Sequence, residues 1–209
     1  MSRLESNEPA MGGDGILSRP TGPRSDRVHA QVLAATQELL DEGGLPAATV
    51  DAIAQRSGVS KATIYKHWPS RTAVAAKAFG LMMAGELPLP DTGNSREDLT
   101  EQVRRVSVFY ASPRGEVFAQ LLSACVDDPA AAPYFRAYFL TGRREAIATL
   151  WRRAVDRGDA SPDTDIDDVI DLLFGPLVFR RLTGHYGLTD EHAEKLARTA
   201  LDGLMRPVV

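Results

Sequence analysis

The sequence predicts an all-α protein, with an N-terminal helix-turn-helix domain of three helices followed by a larger helical domain. Apolar residues recur at intervals of three and four from about residue 25 onwards, and no segment alternates like a β-strand. Clusters of Gly, Pro and Asp interrupt this pattern where helices should end. With 44% hydrophobic residues in a chain of 209, there is enough apolar material for a core.

Composition divides the chain into three segments. Residues 1–23 contain four glycines, three prolines and few large apolar side chains, which predicts a disordered tail. This tail is either inert or, through Arg19 and Arg24, an arm that enters the minor groove of DNA. Residues 24–70 are predicted to form the helix-turn-helix domain, and residues 71–209 the larger helical domain.

The first helix is predicted to follow Ser25, whose hydroxyl can cap it, with Asp26 in the first turn. Apolar residues then occupy one broad face of about four turns. The pair Gly43 and Gly44 is predicted to end this helix, because glycine is a poor helix former that suits a helix terminus.

A second, shorter helix has specific signals at both ends. Thr49 is a favourable N-cap, and Val50, Ile53 and Ala54 have the i, i+3, i+4 spacing of one buried face. Gly58 is predicted to end the helix, since glycine tolerates the positive φ found just past a helix C-terminus.

A third helix begins almost at once, with Ser60 as its cap and Lys61 as its first residue. Two short helices joined by a glycine-containing turn form a helix-turn-helix, whose second helix fits the DNA major groove. Ile64 and Trp68 should point inward because they are apolar and lie one turn apart. Lys61 and Ala62 lie at the N-terminal end, where a lysine can donate to guanine and a methyl group can contact thymine.

The charge distribution is compatible with DNA binding although the whole chain is acidic. The net charge is −4 with a pI near 5.6, but residues 24–80 carry seven Lys or Arg against five Asp or Glu, and residues 81–209 carry fifteen against twenty. Lys61, Lys66 and Lys77 lie in or just after the stretch from Thr49 to Trp68, and this position favours contact with phosphates. An ordinary solvated helix face remains the alternative.

The segment from Thr49 to Arg71 resembles the DNA-binding domain of TetR/AcrR-family transcriptional regulators. The match is ungapped and extends over about fifty residues when the preceding helix is included, while the rest of the chain resembles the family only in size and helical character. The residues that carry the resemblance are Thr49, Ile53, Ala54, Ser57, Gly58, Val59, Ser60, Ile64, Tyr65, His67, Trp68, Ser70 and Arg71.

The resemblance implies a set of DNA contacts. Bases would be contacted at the N-terminal end of the third helix, and phosphates by Tyr65, Lys66 and His67, with Thr49 and Arg71 as further phosphate ligands. Tyr65 could instead be mostly core, and His67 could instead interact with the helix dipole. The complete predicted DNA-binding set is Thr49, Ser60, Lys61, Ala62, Thr63, Tyr65, Lys66, His67 and Arg71.

The larger domain is predicted to contain six helices, of which the first links it to the helix-turn-helix. Their predicted ranges are 71–86, 97–111, 115–126, 133–156, 166–183 and 190–205. Family members commonly bind a small, often hydrophobic effector in this domain, so the resemblance implies an effector pocket. Its predicted lining is aromatic, although each of these residues could equally be core: Phe109, Tyr110, Phe118, Tyr134, Tyr138, Trp151 and Phe174.

The fifth of these helices is apolar on every side, so it must be covered. Together with the last helix it resembles half of the family's two-fold four-helix dimer interface, with an internal core helix as the alternative. The predicted interface comprises Ile170, Phe174, Leu177, Val178, Arg181, Leu196, Leu201 and Leu204.

Other functional classes find little support in the sequence. The four histidines have no metal-ligand spacing, and no nucleophile motif or phosphate-binding loop is present, so no enzyme, metal or cofactor is expected. Cys125 is the single cysteine and is expected to be a small core residue. Because no apolar run reaches eighteen residues and no signal peptide is recognisable, we expect a cytoplasmic protein without a membrane partner.

Together these patterns predict a dimeric, sequence-specific DNA-binding transcriptional regulator. By resemblance it would be a repressor, released from a palindromic operator on double-stranded DNA by a small-molecule effector. The alternative is a helical small-molecule-binding or protein-interaction module that no longer binds DNA.

Overall fold

The computed structural model describes residues 22–83 and 88–205, and within those ranges the chain forms helices and no β-strand. The all-α prediction is therefore confirmed. The elements in order are α1 (Pro23–Ala47), α2 (Val50–Ser57), α3 (Lys61–His67), α4 (Arg71–Met82), α5 (Ser95–Ala111), α6 (Pro113–Asp127), α7 (Ala132–Phe135), a π-helical segment (Arg136–Leu140), α8 (Thr141–Asp156), α9 (Ile166–Thr183) and α10 (Asp190–Leu204).

Helix α1 begins earlier than the sequence predicted. The carbonyl of Gly22 accepts a hydrogen bond from the Asp26 amide at 3.0 Å, and Pro23 occupies the first helical position. Proline is favoured there because an N–H in the first turn has no helical partner to lose. The prediction that Ser25 caps this helix is therefore wrong. The predicted tail of residues 1–23 lies outside the described residues except for its last two.

The predicted break at the end of α1 is present. Gly43 and Gly44 both leave helical geometry, and Gly44 has a φ of 67°, in the left-handed region that glycine tolerates. The chain then turns back towards the larger domain. There the Leu45 amide donates to Oε1 of Gln120 at 2.8 Å, so the end of α1 is joined to α6.

Helices α1 to α4 enclose a small core that is continuous with the core of the larger domain. Ile53 from α2, Ile64 from α3 and Trp68 after α3 are each at most 1% exposed. Helix α4 packs against α1, and Gln37 on α1 donates to the carbonyl of Ala78 on α4 at 3.2 Å. The position of the two short helices is therefore set by the two longer ones around them.

In the larger domain, α5 is the central helix. It packs against α6, α8, α9 and α10, and its Leu99 and Val103 are completely buried. Its first turn is capped by Asn94, whose side chain accepts from the amides of Arg96 and Glu97, so the helix starts before the predicted residue 97. Helix α6 likewise starts early because Ser112 caps it. Among the described helices, none has both the length and the apolar character needed to cross a membrane.

The predicted helix 133–156 is divided by a π-helical segment. Residues Arg136–Leu140 make the wider π-type turn between α7 and α8. Short π segments within α-helices are rare and occur frequently at functional sites. The range predicted for α9, 166–183, agrees with the structure, and the helix continues through Pro176.

Helix α4 meets the π-helical segment at a very close contact. A methyl group placed on Gly80 would lie 2.6 Å from Cβ of Tyr138 and closer still to that residue's carbonyl oxygen. Only glycine allows the two backbones to approach this closely. Lys77, one turn earlier on α4, holds its Nζ atom 4.8 Å from the centre of the Tyr138 ring. This contact joins the helix that follows the helix-turn-helix to the larger domain.

We predict that Gly80→Ala destabilises the protein, because the added methyl group has no space. Overpacking of this kind costs about 1–3 kcal/mol in the free energy of unfolding. Gly142→Ala is the matched control, since Gly142 also lies in a helix but has no atom within 4 Å of the added carbon. It should gain up to about 1 kcal/mol from helix propensity. Urea unfolding of both variants measures the difference, and equal stability would contradict the close contact.

Candidate DNA-binding surface and ligand cavity

The turn between α2 and α3 is held by side-chain caps at both helix N-termini. Oγ1 of Thr49 accepts from the Ala52 amide at 3.1 Å, and Oγ of Ser60 accepts from the Thr63 amide at 3.2 Å. Gly58 between the helices has a φ of 69°. These are the three signals from which the helix-turn-helix was predicted, and the structure has the predicted geometry at each of them.

Helix α3 has one buried face and one exposed face. Ile64 and Trp68 point into the small core, while Lys61, Ala62, Tyr65 and Lys66 are exposed. Thr63 is half-buried, and its hydroxyl lies 2.9 Å from that of Ser60. The exposed residues at the N-terminal end of α3 form a surface that a DNA groove can approach.

Lys61 forms an ion pair with Asp51 on α2. Both side chains are more than half exposed, and an exposed pair of this kind contributes little free energy, so its loss is a small barrier to DNA binding. The pair joins the first residue of α3 to the first turn of α2. Asp51 was not among the predicted site residues, although its position in the first turn of α2 placed it near the start of α3.

The predicted phosphate ligands differ in their exposure. Tyr65 is 54% exposed, so the alternative that it belongs to the core is wrong. Lys66 is exposed and has no ion-pair partner within the described ranges. Arg71, at the start of α4, is half-buried, and Thr49 uses its hydroxyl as a helix cap. Lys66 is therefore the cation of α3 that is most available to a phosphate.

His67 lies at the end of α3 and contacts α1. Its Nδ1 atom is 3.0 Å from Nε2 of His29, and the ring centres are 4.7 Å apart in an edge-to-face arrangement. His29 is buried and lies against the Trp68 ring. Burial, and then the charge of Lys66, lower the pKa of His67. The sequence did not reveal this partner, because the two histidines are 38 positions apart.

Helix α2 is attached to α1 by Arg56. Its guanidinium forms two hydrogen bonds to Glu42, at 2.8 and 3.0 Å, and one to Glu38 at 3.1 Å. Two parallel bonds from one guanidinium to one carboxylate fix orientation as well as distance. This contact places an arginine of the DNA-binding domain on α1 and away from the exposed face of α3.

A cavity of about 740 Å³ lies in the larger domain between α5, the π-helical segment, α8 and α9, and it extends to the end of α4. Its size is typical of sites for small organic molecules. Four of the predicted pocket residues line it, namely Phe109, Tyr110, Tyr138 and Phe174. Burial raises the pKa of Tyr110 to about 12, so its phenol remains neutral and can donate a hydrogen bond.

The other three predicted pocket residues lie elsewhere. Phe118 is 2% exposed and packs behind the cavity wall against Tyr110 and Phe139. Trp151 is buried in the core, and no described residue accepts a hydrogen bond from its indole nitrogen. Tyr134 lies instead beside an open cleft between α3 and α7. These positions correct the predicted lining, because helical spacing alone does not separate a cavity wall from the layer behind it.

Phe139 and Arg143 also line the cavity but were not in the predicted set. Phe139 stacks on Phe109 with ring centres 6.2 Å apart, and the guanidinium of Arg143 lies 4.6 Å from the Phe139 ring centre. The sequence marks Arg143 only as one of many arginines on a helix. Its position in the cavity depends on the π-helical segment, which the pattern of apolar residues did not predict.

Helix α9 carries an exposed apolar stripe. Leu172, Phe179 and Leu182 are 53%, 60% and 49% exposed, and the exposed Gly175 lies between the first two. Intervals of three, four and three residues place all four positions on one face of the helix. Soluble proteins rarely leave such a continuous apolar face uncovered.

This stripe corrects part of the predicted dimer interface. Leu177 and Leu201 are completely buried within one chain, and Phe174 is 8% exposed in the cavity wall, so none of them offers a surface to a partner. The other five predicted residues are half-buried: Ile170, Val178, Arg181, Leu196 and Leu204. The sequence identified the helix, but not which of its apolar faces the chain itself covers.

Comparison with known proteins agrees with this architecture. Residues 32–78 match the family model described as "Bacterial regulatory proteins, tetR family", and residues 89–200 match "Tetracyclin repressor-like, C-terminal domain". The chain belongs to the TetR family. It is similar to the HTH-type transcriptional regulator YdeS of Bacillus subtilis (strain 168), with 35% identity over 90% of this chain and 96% of the relative.

Two further comparisons extend the similarity. The HTH-type transcriptional regulator AqdR of Rhodococcus erythropolis is 26% identical over 78% of each chain. The crystal structure of the TetR-family transcription regulator SCO0332 superposes with a TM-score of 0.72 at 34% identity, covering 87% of this chain and all of the other. The protein is thus a TetR-family, DNA-binding transcriptional regulator, and the resemblance found in the sequence is confirmed.

For this TetR-family protein we predict that Lys66→Ala weakens binding to every duplex alike. Losing one phosphate contact should reduce the slope of log K against log salt by about one. Lys195→Ala is the matched control, because Lys195 is also exposed but lies on α10 in the larger domain. Fluorescence anisotropy over a range of salt concentrations gives both slopes. An unchanged slope for Lys66→Ala would exclude a phosphate contact.

We also predict that stability falls at acidic pH through His67. Because its pKa is lowered in the folded protein, the unfolded chain takes up the proton first as the pH falls. The free energy of unfolding should therefore decline below about pH 6.5, the ordinary histidine value, until the pH passes the lower folded pKa. His67→Gln should reduce this decline, whereas His185→Gln, at an exposed histidine, should not. An identical pH profile for His67→Gln and wild type would contradict this role.

Proposed function

We propose that this regulator is a homodimeric repressor that binds a two-fold symmetric operator and leaves it when a small molecule occupies the cavity. The observation that carries the proposal is the contact between Gly80 and Tyr138. Tyr138 belongs to the cavity wall, and Gly80 belongs to the helix that follows the recognition helix α3. Because the protein acts on chromosomal DNA, we also propose that it works in the cytoplasm.

The dimer is supported by the apolar stripe on α9. A recognition helix of seven residues contacts only a few bases, so one domain alone gives limited affinity and specificity. Two such helices related by a two-fold axis would bind half-sites about 34–36 Å apart, one turn of DNA. An isologous interface, in which the stripe packs on its own copy, supplies that symmetry.

The DNA contacts we propose follow from the exposed face of α3. Lys61 and Ala62, with Ser60 and Thr63 beside them, would contact base edges, because the N-terminal end of a recognition helix enters the major groove. Tyr65, Lys66, Thr49 and Arg71 would contact phosphates, which fix the position of the helix without determining sequence. His67 would support this surface from behind through His29.

Release would follow from differential binding. A ligand changes the affinity for DNA only if it binds one of two positions of the DNA-binding domains more tightly than the other. Bound DNA then lowers the affinity for the ligand by the same factor by which the ligand lowers the affinity for DNA. Expansion of the cavity would move the π-helical segment, and the close contact at Gly80 would transmit this movement to α4. Helix α4 packs on α1, so the separation of the two recognition helices would change.

We predict that Phe179→Glu converts the dimer to monomers, since it places a charge in the centre of the apolar stripe. Its DNA affinity should fall at least about tenfold, because a monomer contacts only one half-site. Tenfold corresponds to about 1.4 kcal/mol of binding free energy. Val126→Glu is the matched control, because Val126 is 78% exposed but lies on α6 and is not part of the stripe.

Sedimentation equilibrium at micromolar concentration and gel shift on the DNA upstream of its own gene measure the two effects. A wild-type protein that is monomeric under these conditions would contradict the proposal. So would a Phe179→Glu variant that remains dimeric and binds with wild-type affinity.

A further inference from the structure

The charged residues that line the cavity are mostly neutralised by neighbours. Arg105 forms an ion pair with Glu101 at 2.8 Å and donates to the carbonyl of Pro88 at 2.7 Å. Arg144 forms an ion pair with Asp167 at the start of α9. Each of these guanidinium groups therefore already has an anionic partner supplied by the chain.

Arg143 is different. It is half-buried in the cavity wall, and no described residue places a carboxylate within ion-pair distance or accepts a hydrogen bond from its side chain. Glu145 also lines the cavity, but two positions along a helix do not face each other, so it does not compensate this charge. Burial lowers the pKa of Arg143, as expected for a cation that has lost contact with water.

Aromatic rings hold the Arg143 side chain in place. Its guanidinium carbon lies 4.6 Å from the centre of the Phe139 ring and 5.3 Å from that of Phe109, which are cation–π distances. The faces of the two rings stabilise the positive charge only in part, and the planar N–H donors retain the capacity to bind an anion. Guanidinium geometry matches a carboxylate, which it can bind through two parallel hydrogen bonds.

We propose that the cavity binds an aromatic carboxylate whose ring packs among Phe109, Tyr138 and Phe139 and whose carboxylate pairs with Arg143. Among the described arginines that line the cavity, Arg143 is the one without an anionic partner, because Arg105 and Arg144 already have theirs, and one such charge fits a monoanion. A phosphate dianion would leave one negative charge unpaired in the cavity, which is costly away from water. Tyr110, a neutral phenol in the same wall, is a further hydrogen-bond donor for the ligand.

This inference deepens the proposed function and rests on it, since it defines the chemical class of the effector. Its test uses the free protein without DNA, so it can fail while DNA binding and dimerisation stand. The reporter is N-phenyl-1-naphthylamine, an uncharged dye that fluoresces in apolar cavities. Three competitors that share the naphthalene ring are titrated against the bound dye: 1-naphthoate, 1-naphthamide and 1-naphthyl phosphate.

Two arginines of α8 provide the comparison. Arg143→Gln removes the charge in the cavity, and Arg152→Gln removes an exposed charge from the same helix. Arg143→Lys keeps a cation at the site but lacks the planar fork. Thermal unfolding confirms that each variant folds before its competition curves are compared.

In the wild type and in Arg152→Gln, naphthoate should bind at least about tenfold more tightly than naphthamide, as expected for a charge-assisted hydrogen bond. Naphthyl phosphate should bind no more tightly than naphthoate. The preference for naphthoate over naphthamide should fall to within about twofold in Arg143→Gln and should be intermediate in Arg143→Lys.

Equal binding of naphthoate and naphthamide to the wild type would overturn the proposal. The same holds if Arg143→Gln weakens both ligands equally, if the phosphate binds tenfold more tightly than naphthoate, or if the dye does not bind at all.

Discussion

A helix of seven residues is too short to keep its shape or position by itself, and this constraint organises the rest of the molecule. Helix α3 is held from below by Ile64 and Trp68, which are buried against the core formed with α1 and α4. Thr49 caps α2 and Ser60 caps α3, so both helix starts are fixed. The contact of His67 with His29 holds the last turn of α3 against α1. Because buried residues hold the helix, its exposed Tyr65 and Lys66 are free to face solvent.

The same dependence continues into the larger domain. Helix α4 packs on α1 of the helix-turn-helix domain and also lies against the π-helical segment, where Gly80 leaves no free space. The π-helical segment forms part of the cavity wall. A packed interface of this kind transmits displacement because it is nearly incompressible. In the proposed mechanism, the state of the cavity thus determines where the DNA-binding domain lies.

Local patterns were sufficient for the helix-turn-helix. Thr49, Gly58 and Ser60 act through their own backbone neighbourhood, so the sequence predicted them correctly, as it did the range of α9. It failed where the answer depends on distant parts of the chain: Leu177 faces the core and Leu172 faces outward, although both are leucines on one apolar helix. The sequence did not predict the position of Arg143 or the contact of His29 with His67, because tertiary packing determines both.

In the proposed function, two copies of α3 held at a fixed separation in a dimer recognise the DNA sequence. Selection of bound duplexes from a random pool by the full-length protein tests it most directly. We expect an enriched inverted repeat whose half-sites are centred one helical turn apart, about 34–36 Å. A pool that retains no common sequence, or one that yields a single unrepeated site, would contradict it.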